Sequence, residues 1–429
     1  MKRNLLAVVV FALCSLQVAH ADLLAGAART SITPDQKLFQ YQLGGYVAKE
    51  RTGHNSTGVH DTCYARALVL ANGSTRVAIV SLDLCFMPAN VKTAVLQRIG
   101  ASKVPADCVF LSATHTHSAP DPLALHSGNT GKAGDLSTFN PKLLDWMADQ
   151  IGAAINEAAS KLQPAKAGSA QRGGIGLNRN RRGEKITDDE MTALRIVDAT
   201  NKPIACMVNY AAHPVYFGAN MMEVSGDWSG SFARVLEAKE PGSVALFLNG
   251  AEGDASANGS DDGMPAEKIV TFATKLGQAA TSLLNSITPE SDVAISGWTH
   301  TVQLPPRKPH PFFLLAGAAM RATPAQVKEL VDHSMPTTCE LSFVRIGNLT
   351  LMGFPGEPTA PVGLAAKAMA RDAGIKNPAV VALTNGWLGY LVTAEQYKAG
   401  KYEPTMSFYG ETIGATMLEG VKVGILKSK

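Results

Sequence analysis

Past its first 21 residues the sequence has no long apolar run. Nothing there approaches the roughly 18 consecutive apolar residues that a bilayer-spanning helix needs. Charge is sparse and nearly balanced. Only 17% of residues are charged, 39 Lys and Arg face 36 Asp and Glu, and the formal net charge is +3. The basic residues are scattered, which argues against nucleic acid and against docking on an anionic membrane by charge. No Cys-x-x-Cys pair occurs, so a cysteine zinc knuckle and a thioredoxin-like redox motif are both excluded. Low-complexity tracts, internal repeats and a clean linker are missing as well. With 46% apolar residues, the remainder is a folded globular chain.

The start of the chain reads as an address. Lys2 and Arg3 form a positive n-region, Leu5 to Leu16 an apolar h-region, and Ala19-His20-Ala21 a small-residue cleavage site. This is the pattern of a secretory signal peptide cut before Asp22, so the mature domain spans 22–429 and is secreted or periplasmic. Cleavage removes Cys14 and leaves Cys63, Cys85, Cys108, Cys206 and Cys339. Export permits disulfides, but an odd count leaves at least one thiol free. Cys85, Cys108 and Cys206 lie in apolar strand-like runs and read as small buried hydrophobes; one disulfide stays open.

Strand and helix patterns alternate through the rest. Ala65 to Ala71 and Thr75 to Leu84 flank Asn72-Gly73, and Leu341 to Ile346 and Leu349 to Phe354 flank Gly347-Asn348; both are hairpin signals. Asn140-Pro141 reads as an N-cap followed by proline at the first helical position. Behind it Leu144, Met147, Ile151, Ile155 and Ala158 recur at helical spacing. Helices are also expected near 229–238, 267–284 and 411–421. The fold class is α/β, a mixed β-sheet core with flanking helices in a single large domain.

One stretch concentrates chemistry. Val109 to Ala113 is an apolar strand that runs into His115-Thr116-His117 and is stopped by Ala119-Pro120-Asp121-Pro122. On a strand, residues i and i+2 share a face, which places the two imidazoles side by side at a strand end. A second strand ends in Ala212-His213-Pro214, and a third in Pro355-Gly356-Glu357. Two histidines and a carboxylate at strand ends are a common recipe for a zinc site with an open position. Such an ion brings its bound water to a pKa of about 7. The plain alternatives are hydrogen-bonded loop histidines and a Glu357 that caps a helix. A metallo-β-lactamase pattern fails at Ala119 and Pro120, and the amidohydrolase-barrel pattern does not continue.

Many short segments in one order resemble the catalytic domain of the neutral/alkaline non-lysosomal ceramidases. They include Gly44-Gly45-Tyr46, Ser81-Leu82-Asp83-Leu84-Cys85, Ser112 to Pro120, Asn178-Arg179, Ala212-His213-Pro214 and Ser225-Gly226-Asp227. Gly253 to Asn258, Phe354 to Thr359 and Gly389-Tyr390-Leu391-Val392-Thr393 continue the series. The resemblance spans about Gly26 to Gly420. It implies a zinc amidase with one catalytic Zn2+ held by His115, His213, Glu357 and Tyr390. It further implies that His117, Arg179 and Tyr402 act at the scissile amide and that Ser256 binds substrate. The implied substrate is ceramide or another lipid-like N-acyl amide, with no obligate protein partner.

Four places depart from the family pattern. Ala119 replaces a glycine, Asn180-Arg181-Arg182-Gly183 replaces a Ser-Pro continuation, Ala257 replaces a proline, and the family's C-terminal immunoglobulin-like domain is expected to be missing. The metal set is intact, while the departures lie where substrate would run. Ester or lactone hydrolysis at the same zinc, and a non-catalytic binding protein, are the competing readings. Pro305 to Ala318, with Phe312-Phe313-Leu314-Leu315 at its tip, reads as a lid that touches a membrane surface transiently, or as a tucked-in core segment.

Overall fold

The computed structural model describes residues 23–129, 133–259 and 263–427. The proposed leader therefore lies outside the described residues. Among them no helix is long and apolar enough to cross a membrane.

Eight strands form the main sheet: β1 (Leu24–Ser31), β2 (Tyr64–Asn72), β3 (Thr75–Leu82), β4 (Val109–Ala113), β5 (Gln163–Arg172), β6 (Met191–Asp198), β7 (Pro203–Tyr210) and β8 (Val244–Asn249). Their spatial order is β8-β7-β6-β5-β1-β2-β3-β4. The outer pairs β8/β7 and β3/β4 are parallel and the inner pairs antiparallel, so the sheet is mixed as expected. The two-residue turn between β2 and β3 works because Gly73 accepts a φ of 57°.

A second sheet holds β9 (Ile295–Gln303), β10 (Thr338–Ile346), β11 (Leu349–Gly353) and β12 (Asn377–Val381), in that order. Buried Asn385 stitches it to β4. Its side chain donates to Val109 O and Ser342 Oγ and accepts from Leu111 N. The largest apolar cluster draws on both sheets, joining Ile79, Phe110 and Leu111 to Val344, Leu351 and Val381.

Helices cover both faces of the main sheet. α1 (Ala89–Leu96) packs with α2 (Pro141–Ser160), and α2 lies on β1 and β2. Asn140 caps α2 by accepting from Leu143 N, with Pro141 next in line. The buried stripe is Leu143, Met147, Ile151, Ile155 and Ala158, each at 0% exposure; Leu144 is only partly covered. At roughly 1.5–3 kcal/mol per large apolar side chain, that stripe rather than helix propensity holds α2 in place. α3 (Asp227–Lys239) and α4 (Pro265–Asn285) cover the opposite face around Trp228, Phe232 and Phe272. α7 (Ala360–Asp372) and the helix Ile413–Leu426 back the second sheet. All five described cysteines are free, and four are buried, which leaves no described disulfide.

The strand ends that matter are tied by one side chain that sequence reasoning passed over. Asn249, fully buried at the end of β8, donates to Thr114 O and Ala212 O and accepts from Ala212 N and Gly250 N. It thereby locks the residues immediately before His115 and His213. Asn249→Ala strands several buried backbone groups at about 1–3 kcal/mol each. Thermal denaturation is expected to show a loss of about 3–5 kcal/mol.

Candidate metal centre

The strand does not carry the His-Thr-His run. β4 stops at Ala113, and His115 adopts a left-handed φ of 74°. The imidazoles therefore do not meet by pleat alternation, as the i, i+2 spacing predicted; a sharp turn at the strand end brings them together. Their rings lie edge to face at 4.7 Å, with Nε2 atoms 3.3 Å apart. Left-handed backbone is uncommon for a non-glycine residue and clusters at functional sites. Here His115 N donating to Leu84 O and its Nδ1–H donating to Cys85 O hold the turn.

A glycine makes room for the second ring. At Gly45, whose φ is 93°, a β-carbon would sit 2.4 Å from the His117 ring. That is the physical content of the Gly44-Gly45-Tyr46 segment. Tyr46 then packs edge-on against His117 at 4.7 Å. Arg51 donates to the His117 carbonyl and to Gly44 O, fixing the loop from below.

The remaining donors arrive from three other elements. His213 follows β7, and its Nδ1–H donates to Ala255 O at 3.1 Å. Glu357 and Tyr390 are direct partners in a short parallel ladder, Glu357–Pro358 against Tyr390–Leu391. Gly389, with φ 78°, lets that ladder approach Met406 O, which a β-carbon would meet at 2.3 Å. Both histidines thus spend Nδ1 on carbonyls and turn Nε2 inward, the tautomer a metal ligand needs.

The inward atoms converge. Glu357 Oε2 lies 3.3 Å from His115 Nε2 and 3.6 Å from His213 Nε2. His213 Nε2 lies 3.3 Å from the Tyr390 hydroxyl. All four side chains are buried. Among the described residues Glu357 Oε2 makes no hydrogen bond although it is fully buried. An orphaned carboxylate oxygen between two imidazole lone pairs fits a cation in their midst. Burial penalises the Glu357 carboxylate, but His115 and His213 outweigh it and hold its pKa well below the usual range. Burial likewise opposes an imidazolium at His115, but its charged neighbours, Glu357 first, drive the pKa well up. A cation between these donors takes over the place of that proton.

A second cluster, Cys85 with His115 and His117, shares one ring with the first. His115 Nδ1 already donates to the Cys85 carbonyl, and burial pushes the Cys85 thiol up, away from the thiolate a metal needs. The His115, His213 and Glu357 set is therefore the better cradle. His117 is held well below the ordinary imidazole range by burial, and then by the His115 and His213 rings, so it is neutral.

The residues implied by the family resemblance do not all gather here. Arg179 sits exposed on the ladder Asn178–Asn180, register partner of Ser256. Two residues later Arg181 turns inward instead. Its Nη2 donates to the Tyr390 hydroxyl at 2.8 Å and to Gly253 O at 2.9 Å, and its Nε to Glu403 at 2.9 Å. The strand alternation that exposes Arg179 ends at Asn180, which frees the next residues to fold back over Glu403. Ser256 is half-buried and bridges to His213 through the backbone, and among the described residues its side chain makes no hydrogen bond to the donors. Tyr402 is 55% exposed, with its ring 5.8 Å from Tyr390 and 5.5 Å from the Arg181 guanidinium.

Two further residues escaped notice in the sequence. Asp254 accepts from Ala360 N at the start of α7 and from Asn180 and Gln396, which pins the loops of Glu357 and Arg181 together. Glu252 is fully buried, and among the described residues neither of its carboxylate oxygens is hydrogen-bonded. Burial lifts its pKa well above the usual range. Asp254 lies in the family-like Gly253 to Asn258 segment, where only Ser256 received a role, and Glu252 directly precedes that segment.

A pocket opens over the donors. Its floor is His115, His117, Glu357 and Tyr390, and its walls are largely apolar, among them Phe86, Leu123, Phe313, Val331, Met335 and Phe408. Phe313 belongs to α5 (Pro311–Ala316) and Val331 to α6 (Pro324–Ser334). The Phe312–Leu315 tip is helical and only partly tucked in. Phe313 packs edge-on against Phe408 at 4.9 Å, while Phe312 and Leu315 stay more than 60% exposed beside the pocket.

Residues 24–297 match the model of the neutral/alkaline non-lysosomal ceramidase N-terminal region. Neutral ceramidase A of Dictyostelium discoideum is 24% identical over 491 residues, covering 86% of this chain and 68% of that protein. Neutral ceramidase of Drosophila pseudoobscura pseudoobscura is 28% identical over 274 residues, covering 57% of this chain but only 37% of its own length. The crystal structure of neutral ceramidase from Pseudomonas aeruginosa superposes with a TM-score of 0.79 at 21% identity, over 95% of this chain and 75% of that one. The fold is thus shared across nearly the whole chain, and by the family model, which matches more than half of it, the chain belongs to the neutral/alkaline non-lysosomal ceramidase family.

Proposed function

We propose that this protein is an exported zinc-dependent amidase that cleaves an N-acyl amide, with ceramide or a related N-acyl lipid as its substrate class. The observation that carries the reading is Glu357 Oε2, without a hydrogen bond among the described residues, between two inward imidazoles at the floor of an apolar pocket. His115, His213, Glu357 and Tyr390 are assigned as zinc ligands. When bound, zinc supplies Lewis acidity and a source of hydroxide at neutral pH. The apolar walls receive an acyl or alkyl chain, and the single amide is left to face the polar floor. Neutral His117 accepts or relays a proton at Nε2, where its ring meets His115. The role first given to Arg179 is assigned to Arg181, which with Tyr402 lines the approach to Tyr390 and opposes the negative charge that grows on the carbonyl oxygen.

The reading is tested by release of fatty acid from a fluorescent N-acyl-sphingosine, with and without a zinc chelator. Release that falls about a hundredfold or more with chelator, and returns with added zinc, is the expected result. A zinc-loaded protein that releases nothing points instead to another amide or to an ester. A protein that neither releases fatty acid nor binds zinc defeats the proposal.

A further inference from the structure

Glu357 offers only one oxygen to the cradle, and a single side chain decides which. Trp387 Nε1–H donates to Glu357 Oε1 at 2.9 Å, leaving Oε2 as the free oxygen between the two imidazoles. The indole is stacked on Phe86 with centroids 4.1 Å apart and planes at 17°, and it meets Phe408 edge-on at 5.7 Å. Packing does not enclose it. The ring also borders a separate cleft of about 870 Å³, so one side is open, and its orientation depends on the hydrogen bond as well as on the two aromatic neighbours. Without that bond the Glu357 carboxylate is free to rotate about its terminal torsion. It can then present both oxygens, or swing away from His213, at an entropic cost to binding.

We infer that Trp387 is a positioning residue that fixes Glu357 as a one-oxygen ligand and thereby sets the affinity of the metal site. The inference rests on the zinc reading above. It concerns a residue that makes no contact with the metal itself, and a tryptophan whose Nε1–H merely needed a partner on burial would have no reason to select this oxygen.

The test is zinc affinity of the purified protein, measured by competition with a chromophoric chelator, alongside the melting temperature of the zinc-free form. Trp387→Phe keeps an aromatic ring and removes the donor. Its zinc dissociation constant is expected to rise about 10–100-fold, the usual effect of losing an outer-shell partner. Because phenylalanine is smaller and can loosen the fold, the second variant carries 3-benzothienylalanine at position 387, which preserves the ring shape and replaces N–H by sulfur. The same weakening in that variant, with an unchanged zinc-free melting temperature, supports the inference. Unchanged zinc affinity in the benzothienyl variant overturns it while leaving the zinc reading intact. A wild-type protein that binds no zinc overturns both.

Discussion

His115→Ala should abolish zinc binding and lower hydrolysis at least about a thousandfold, because a Lewis acid supplies several kcal/mol and each decade of rate is worth about 1.36 kcal/mol. The stability of the same variant tests the electrostatics of the site. In the zinc-free wild type, Glu357 is buried yet kept ionised by His115 and His213. Its folded pKa is depressed, so it contributes stability that is present above the unfolded pKa and is lost as pH falls. Removing His115 takes away the largest of the charges that offset burial, and burial then dominates. The folded pKa of Glu357 rises, so the sign reverses and stability is lost as pH increases. His115 in the wild type has a raised pKa, so its own contribution is lost only as pH rises above the unfolded imidazole value of about 6.5, and the Glu357 effect is read below that. Zinc-free His115→Ala should therefore be less destabilised, relative to zinc-free wild type, at about pH 3.5 than at about pH 5. Equal losses at both pH values would refute the pairing. His115→Gly adds a control. The variant is as metal-free as the alanine one, but it relieves the left-handed backbone at this position. It should melt higher than His115→Ala by the equivalent of about 1 kcal/mol.

How far the site was legible follows from what kind of signal each residue leaves. His115, His213 and Glu357 were visible because each follows a run of strand-forming residues, with Pro214 directly after His213 and Gly356 and Pro358 on either side of Glu357. Strand ends are where α/β sheets place their ligands. The structure places their donor atoms close together, but the means by which His115 and His117 meet differs from the one the spacing suggested. Alternation along a strand and a left-handed turn after it yield similar spacing, and only the backbone angle separates them. Tyr390 came from family resemblance rather than from pattern, since a phenol leaves no spacing signature. The α2 cap and both hairpin turns were legible because they are local: Asn140, Gly73 and Gly347 act on neighbours within a few residues.

Asn249, Asp254 and Trp387 act across more than a hundred residues or through a partner's second oxygen. Nothing in a single sequence distinguishes an asparagine that ties two strand ends from one that makes a turn. The same limit explains the free cysteines. Their burial was read from apolar surroundings, whereas pairing depends on geometry that spacing does not contain.

The arginine pair is where the two sources of inference diverge most sharply, and it gives the last prediction. Family resemblance points to Arg179, whereas contact geometry points to Arg181. Arg179 is exposed on a short edge ladder, so Arg179→Ala should change activity by no more than about threefold, the ordinary reach of a surface substitution. Arg181→Ala removes a charged donor from the Tyr390 hydroxyl and should cost about 10²–10³ in kcat, as the loss of one preorganised donor does. Glu403 is not stranded by the change, since Arg182 still pairs with its other oxygen at 2.6 Å. The loss is therefore expected in chemistry more than in folding. Burial drives the Tyr390 hydroxyl well above its usual pKa, and the Arg181 guanidinium is the largest influence pulling it back. A tyrosine binds zinc as the phenolate, so removing Arg181 makes that deprotonation harder. Zinc affinity of Arg181→Ala, followed against pH, should be displaced toward alkaline pH, whereas that of Arg179→Ala should overlay the wild type. Arg181→Lys restores charge but cannot reach Tyr390, Gly253 O and Glu403 at once, because a lysine lacks the fork. It should recover part of the pH displacement and little of kcat. An alkaline displacement in Arg179→Ala with none in Arg181→Ala would return the role to the residue the resemblance first suggested.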